Sequence, residues 1–395
     1  MRTATSISSR LVVVGLLICR AALAQSTNEL FDVIKFLEYD IYDYRPEEQA
    51  AWEEFRYSKQ ALRVDLGSVT LKELFAIAEA QANLRPVPWL GAHVDLEDFR
   101  TREQEVTRLS VDFSFRTLPW LELLATGSPA LRKDEGALGL GAMAASADRT
   151  QYAVLRLLDD APFFNGKNPE GGVRDSAVWR LQSELRGSVR GLSGWLRADL
   201  GTKTTIHYQA GPLQSQANQR NDLEFHLRWV PPSWSSREGG VGVRGTLRFL
   251  DNDRTELSVR GQIRRTLGYA RAYATLPISA VVRIYSVLLL VSDRGRGFDL
   301  GQPFTFSRWD VGIRAGSTVD LGPFRLDGGY AVLRSQREVQ GGPSFEGLSP
   351  VAYGDKIYVS AQWNPRKNIF LKFLVSHQIF SGSFGGFNGS LGAIF

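Results

Sequence analysis

The chain has 395 residues, of which 43% are hydrophobic and 23% are charged, and this balance excludes a protein that is disordered throughout. Its formal net charge is +5. It contains 38 glycines, 22 Phe, 12 Tyr and 9 Trp but only 2 Met, a composition that favours many strands and turns over a helical enzyme.

Residues 1–24 have the pattern of a secretory signal peptide. Arg2 and Arg10 precede the apolar run LVVVGLLI, and a small-residue cleavage pattern ends at Ala24. The run is too short to span a membrane as a helix. The only cysteine, Cys19, lies in this segment, so we expect an exported mature chain without disulfide or thiolate chemistry. An exported chain is not expected to bind nucleic acid, although the net charge is basic.

Residues 25–95 are predicted to form a helical segment. Ser26 with Glu29, and Thr70 with Glu73, have the spacing of capping boxes, and the second helix is expected to stop near Asn83. Within this segment, residues 26–56 carry nine acidic against three basic residues. If the rest of the chain forms a barrel, residues 26–85 are expected either to plug its lumen or to lie in the periplasm and dock a partner protein. The second alternative is favoured because charged helical faces usually contact solvent.

From about Val106 the sequence alternates between apolar and polar residues with a period of two. Phe113 and Phe115 alternate with Asp112 and Ser114, and the same pattern recurs in several later segments. Such alternation places the two sets of side chains on opposite faces of a strand. One set is rich in arginine and the other in large aromatic residues, as in a transmembrane barrel.

The connections between these segments support the same interpretation. Residues 251–253, 322–323 and 364–365 are predicted as short turns, and the longer polar stretches 159–176, 231–238, 292–304 and 335–352 as loops. Short turns at one end and long loops at the other are typical of inserted barrels. Seventeen candidate strands can be assigned, but single-chain bacterial barrels normally have an even number. We therefore predict about sixteen strands, with eighteen as the alternative if Trp89–Asp95 adds a strand.

The last residues carry a family resemblance. One face of the final segment is formed by Phe387, Gly389, Leu391, Ala393 and Phe395. This segment resembles the C-terminal strand of bacterial outer-membrane β-barrel proteins, which ends in Phe and is recognised by the barrel-insertion machinery. The resemblance implies an all-β transmembrane antiparallel β-barrel over residues 96–395, in contact with outer-membrane lipid. It departs from the family pattern at Ala393, where an aromatic residue is usual.

Eight arginines are candidates to line the lumen of this barrel. They are Arg244, Arg248, Arg260, Arg264, Arg308, Arg314, Arg325 and Arg334. Arginine pairs bidentately with carboxylate and phosphate, so this set would favour anions. The alternative is that these arginines only pair with acids of a wet lumen, such as Asp310 and Asp327.

No motif for catalysis, metal binding or cofactor binding is present. The four histidines, at 93, 207, 226 and 377, are scattered, and neither HExxH nor GxSxG occurs. We therefore expect neither an enzyme nor a cofactor. The first functional hypothesis is a porin-like channel for a polar, anionic solute or polymer. The alternatives are a non-conducting barrel that anchors a periplasmic or cell-surface assembly and, third, an outer-membrane enzyme with Ser and His meeting across strands.

Overall fold

A computed structural model describes residues 62–66, 75–101, 105–128, 136–162, 164–167, 171–209, 213–234, 239–256, 259–299, 302–341, 350–366 and 369–394. The predicted signal peptide, the predicted helices before residue 62 and the terminal Phe395 lie outside these ranges. The described residues form twenty strands and one four-residue helix, α1 (Phe164–Lys167). Among them, no helix is long and apolar enough to cross a membrane.

The strands follow the chain in order. They are β1 (Leu62–Leu66), β2 (Phe75–Val87), β3 (Leu90–Thr101), β4 (Glu105–Leu118), β5 (Leu121–Ser128), β6 (Ala137–Ala145), β7 (Tyr152–Asp160), β8 (Gly172–Arg174), β9 (Val178–Val189), β10 (Leu192–Gly201), β11 (Thr204–Tyr208), β12 (Leu213–Trp229), β13 (Gly240–Glu256), β14 (Val259–Pro277), β15 (Val282–Asp299), β16 (Gln302–Leu321), β17 (Phe324–Gly341), β18 (Val351–Arg366), β19 (Ile369–Gln378) and β20 (Ser383–Ile394).

All pairings in this single sheet are antiparallel, as short connections between consecutive strands require. The short strands β8 and β11 pair with each other, while β7 pairs directly with β9 and β10 with β12. The other eighteen strands each pair with two of one another, with β1 between β2 and β20, and β12 also pairs with β11. The twenty strands exceed both predicted numbers, sixteen and eighteen, because the short strands β8 and β11 add to the other eighteen.

The helix predicted from Thr70 to Asn83 is wrong, because Phe75–Val87 form β2. Strand β2 pairs with β1 on one side and β3 on the other. Residues such as Ala and Gln favour helices, but their period-two order in EAQANLR suits a strand that is paired on both edges. Two strands and the start of a third therefore lie within the segment 25–95, for which the sequence predicts helices, and the sheet begins before residue 96.

The connections differ from those predicted in several places, among them the predicted loops 335–352, where β17 continues to Gly341, and 159–176, which contains β8. Gly322 and Pro323 form a two-residue turn, as expected, with Gly322 at a φ of 66°. Residues 251–253, predicted as a turn, lie inside β13, and residues 292–304 lie almost entirely in β15 and β16, which residues 300–301 connect. Residues 364–365, also predicted as a turn, lie in β18. Polar residues in these stretches are typical of loops, but here the backbone hydrogen bonding of the strands continues through them.

We call the end of the sheet where β1 begins and β20 ends the proximal end, and the opposite end the distal end. Two-residue turns at 88–89, 119–120, 190–191 and 322–323 lie at the proximal end, but so does the longer connection 230–239. At the distal end, β7 and β9 are separated by the stretch 161–177, which includes α1 and β8, and β17 and β18 by nine residues, whereas β13 and β14 are separated by two residues only. Length therefore distinguishes the two ends less sharply than the sequence predicted.

The two faces of the sheet differ in chemistry and in exposure. We call one the apolar face: its large side chains, such as Leu290, Val311 and Ile313, are exposed. The other, the polar face, carries buried charged residues such as Asp293 and Arg308, together with a small apolar cluster around Leu333. Exposed apolar and buried charged side chains are the reverse of the arrangement in a water-soluble protein.

Candidate functional site

The structure separates the eight candidate arginines. Five lie on the polar face: Arg244, Arg248, Arg308, Arg314 and Arg325. Two lie on the apolar face. Arg264 lies directly opposite Asp251, which is on the same face of β13 as the exposed Phe249, and Arg334 lies directly opposite the exposed Val311. The prediction that Arg264 and Arg334 share a face with the other candidate arginines is therefore wrong. Arg260 belongs to β14, but its side chain lies outside the described set.

A row of residues crosses five strands on the polar face at the same register. Directly opposite pairs link Arg186 to Trp195, Trp195 to His226, His226 to Arg244, and Arg244 to Arg271. Neighbouring strands lie about 4.8 Å apart, so this central row places three arginines within roughly 20 Å. Of the three, only Arg244 was among the predicted residues.

An aromatic ring contacts one arginine of the central row and another arginine beside that row. The Cζ atoms of Arg197 and Arg244 lie 4.3 Å and 5.5 Å from the centre of the buried Trp195 ring. The Nε2 atom of His226 lies 2.8 Å from the hydroxyl oxygen of Tyr273. Cation–π contacts and this hydrogen bond fix the side chains that surround the guanidinium groups.

The next row towards the proximal end is also basic. It runs from Arg228 through Tyr273 and Val287 to Arg314 and Lys356. Arg228 and Arg314 are buried, and the exposed fraction of Lys356 is 0%. Two adjacent rows of the polar face are thus basic, and on β12 and β13 both rows lie near the proximal end.

Nearer the distal end, the polar face holds paired charges instead. Arg308 Nη2 lies 2.5 Å from Asp310 Oδ2, and Arg265 Nη2 lies 2.6 Å from Asp293 Oδ2. Of the two acids that the sequence suggested as partners, Asp310 pairs with an arginine, and Asp327 accepts a hydrogen bond of 2.7 Å from the Tyr285 hydroxyl. The ion-pair alternative thus describes these residues and also Arg325, which contacts Asp320 at the proximal end, whereas the two adjacent rows described above are basic.

At the proximal end, one carboxylate gathers three arginines. Glu122 Oε1 lies 3.0 Å from Arg85 Nη2 and 3.1 Å from Arg116 Nη2, and it also contacts Arg149. Arg149 belongs to the turn between β6 and β7, where burial lowers the pKa of its guanidinium and Glu122 opposes that change. These contacts tie β2, β4 and the β6–β7 turn together around β5.

The other sequence candidates for chemistry remain separate. Within the described ranges, no group of three or more His, Cys, Asp or Glu residues could hold a metal ion. His226 faces Tyr273, and His93 Nδ1 lies 2.7 Å from Asn83 Oδ1. These two histidines therefore lie in hydrogen-bonded positions on the sheet.

The sequence analysis missed several basic residues of the central rows. These are Arg186, Arg228, Arg271 and Lys356. A signal for Arg271 was present, because it alternates with Ala270 and Ala272 as polar-face residues do elsewhere. What the sequence did not contain was the register that brings these residues into adjacent rows.

Comparison with known proteins gives likeness of structure but not of sequence. No known family model matches the chain, and no curated protein sequence matches it. A loop L8 deletion mutant of OmpT, an outer membrane protein of Vibrio cholerae, is 11% identical over 85% of this chain and 96% of its own, with a TM-score of 0.41. OccAB3 of Acinetobacter baumannii is 10% identical over 85% and 97%, also with a TM-score of 0.41. CdiB of the same organism is 7% identical over 85% and 60%, with a TM-score of 0.44. Because these sequence identities and TM-scores are low, the functional argument for this chain uses its own strand pairings and the chemistry of its two faces.

Proposed function

We propose that this protein is an outer-membrane β-barrel whose polar face lines a lumen that passes a polar, anionic solute. The observation that carries the proposal is the central row, with Arg186, Arg244 and Arg271 at one register on the polar face.

The pairing pattern supports a closed barrel. Strand β20 pairs with β1 over Leu391–Ile394, so the first and last strands of the described series contact each other. A closed barrel gives the backbone groups of every strand edge a hydrogen-bonding partner, which a sheet in lipid requires. A barrel of sixteen to eighteen strands leaves room for an aqueous channel.

The apolar face supports a lipid environment. Exposed leucine, valine and isoleucine side chains cover its middle, and exposed aromatic residues lie towards both ends. Trp229 and Trp363 lie near the proximal end, and Trp179 and Trp309 lie nearer the distal end. An apolar band between two aromatic girdles is the pattern of outer-membrane barrels.

The basic rows support a preference for anions. A lumen is walled by low-dielectric protein, so several cations at one level raise the local concentration of anions. Rings of basic side chains select anions in pores, while several sites of moderate strength allow the solute to leave.

We further propose that the acidic segment 26–56 lies against these rows as a plug. That segment carries nine acids against three basic residues, whereas the central rows are basic. Arg271 (2% exposed) and Lys356 (0%) are buried, as expected if part of the chain covers these rows. Since β1 begins at Leu62, the plug is limited to residues before it, rather than extending to residue 85.

The test is conductance of the full-length protein in planar bilayers with a salt gradient across them. We expect a reversal potential that corresponds to anions crossing faster than cations. A full-length pore that prefers cations would contradict the anionic solute.

A non-conducting anchoring barrel is the second candidate, and the burial of the basic rows is the observation that favours it. It predicts no conductance both from the full-length chain and from a chain that lacks residues 26–61.

A further inference from the structure

We propose that three arginines on the apolar face bind the phosphate groups of an anionic lipid in the leaflet that surrounds the distal end of the sheet. The arginine cluster consists of Arg264 in β14 and of Arg294 and Arg296 in β15. The proposal rests on the proposed membrane location of the chain, and it assigns a lipid site in addition to the channel.

The register brings these three side chains together near the distal end. Arg264 lies directly opposite Arg296, and Thr266 lies directly opposite Arg294. All four residues are exposed and share the face of Leu288 and Leu290. Directly opposite side chains have Cβ atoms about 5 Å apart, and a pair of like charges at that distance is destabilising. An anion that binds between Arg264 and Arg296 would remove this cost.

Among the described residues, one carboxylate, that of Asp251, contacts the cluster. Asp251 Oδ2 lies 3.5 Å from Arg264 Nε but also 3.0 Å from Lys203 Nζ. Neither Arg294 nor Arg296 has a carboxylate oxygen within 4.0 Å in the part of the chain that the structure describes. The Cζ of Arg294 instead lies 5.0 Å from the centre of the half-exposed Trp309 ring. The cluster therefore keeps an excess of positive charge.

The surroundings of the cluster fit a phosphate ester. The three arginines line a cleft of about 520 Å³ together with Asn221, Thr266, Thr305 and Ser307. Guanidinium forks and neutral hydroxyl or amide donors are the groups that proteins use to bind phosphate oxygens.

The position of the cleft distinguishes a lipid from a dissolved solute. On the same face, the next rows towards the proximal end contain Leu247 with Trp309, and then Leu290 with Val311. A phosphorylated lipid could therefore place its phosphates on the arginines and its acyl chains along this apolar surface. A solute inside the lumen would meet only the opposite face.

The experiment measures lipid binding by native mass spectrometry of the full-length protein released from non-ionic detergent. The probes are a bis-phosphorylated glycolipid and the same glycolipid after enzymatic removal of its phosphates. The test variant is Arg264→Gln/Arg294→Gln/Arg296→Gln. Arg334→Gln is the matched control, because Arg334 is also an exposed arginine of the apolar face but lies outside the cleft.

We expect the wild type and Arg334→Gln to bind the phosphorylated lipid roughly tenfold or more tightly than the dephosphorylated one, as charge-assisted hydrogen bonds imply. The triple variant should lose that preference. A wild type without the preference, or a triple variant that keeps it, overturns the inference. Conductance of the same preparations separates the two proposals: lipid preference without conductance supports the lipid site and contradicts the channel, and conductance without lipid preference does the reverse.

Discussion

Arg244 lies directly opposite Arg271 across β13 and β14, on the polar face of the sheet. Two like charges at a directly opposite position weaken strand pairing by a few tenths of a kcal/mol up to about 1 kcal/mol. Their aromatic neighbours differ, since Arg244 lies over Trp195 and Arg271 over Tyr269. The sheet thus brings two guanidinium groups to one register of the polar face, each beside an aromatic ring.

The first prediction concerns ion selectivity. The double variant Arg244→Gln/Arg271→Gln should lower the ratio of anion to cation permeability several-fold, because it removes two of the three arginines of the central row. The measurement is the reversal potential in planar bilayers. Arg334→Gln, on the apolar face, is the control and should leave the potential unchanged. Equal shifts in both variants would assign the effect to net charge and contradict a role of the central row.

The second prediction concerns a buried ion pair. Arg156 Nη2 donates to Asp112 Oδ2 over 2.6 Å, Thr126 Oγ1 donates to Asp112 Oδ1, and both charged side chains are buried. Asp112→Asn leaves the Arg156 charge without its counterion, so it should destabilise the fold by about 3–5 kcal/mol. The measurement is the urea dependence of unfolding in detergent micelles.

Two further variants test the cause of that loss. Asp148→Asn removes a carboxylate that accepts hydrogen bonds only within an exposed turn, so its cost should be much smaller. Adding Arg156→Gln to Asp112→Asn removes the buried charge and should recover part of the lost stability. No recovery in this double variant would show that packing, and not the unpaired charge, causes the loss.

The sequence predicted the faces of the strands better than their contacts. In β16, the alternation of Arg308 and Arg314 with Trp309 and Ile313 placed each residue on the face where the structure has it. At the C-terminal strand, Phe387 stacks on Phe373 with ring centres 6.0 Å apart. Alternation is a local property, so one sequence is enough to detect it.

The adjacent pair Arg264 and Arg265 shows where that reasoning stops. Two consecutive residues of a strand lie on opposite faces, and here both residues are arginines, so the sequence does not show which one lies on the polar face. The structure decides through long-range partners, since Arg265 pairs with Asp293 on the polar face and Arg264 faces Asp251 on the other. Those partners depend on the register of three strands, which no local pattern contains.

The third prediction concerns the turn between β16 and β17. A Cβ at Gly322 would have open space, so the substitution Gly322→Ala is opposed only by the φ of 66°. Such a conformation costs an alanine about 1 kcal/mol. Gly187→Ala is the control, because Gly187 also has open space for a Cβ but lacks a positive φ. In urea unfolding, Gly322→Ala should lower stability while Gly187→Ala should not, and an equal effect of the two would contradict the role of the turn.

The fourth prediction concerns the proposed plug. Deletion of residues 26–61 removes the nine acids of the acidic segment but leaves β1, which begins at Leu62, intact. If that segment covers the basic rows, the deletion should raise single-channel conductance and strengthen the preference for anions, because Arg271 and Lys356 would then face water. The full-length chain should approach the same conductance at high salt, since screening over about 3 Å at 1 M weakens attraction between the acids and the wall.

A matched variant separates charge from chain length in this experiment. Glu47, Glu48, Glu53 and Glu54 can be changed together to Gln, which keeps the length of the segment and removes four of its nine acids. We expect conductance between that of the full-length chain and that of the deletion. Unchanged conductance in both the deletion and the Gln variant would contradict the plug, and an effect of the deletion alone would mean that the segment acts through its bulk and not through its charge.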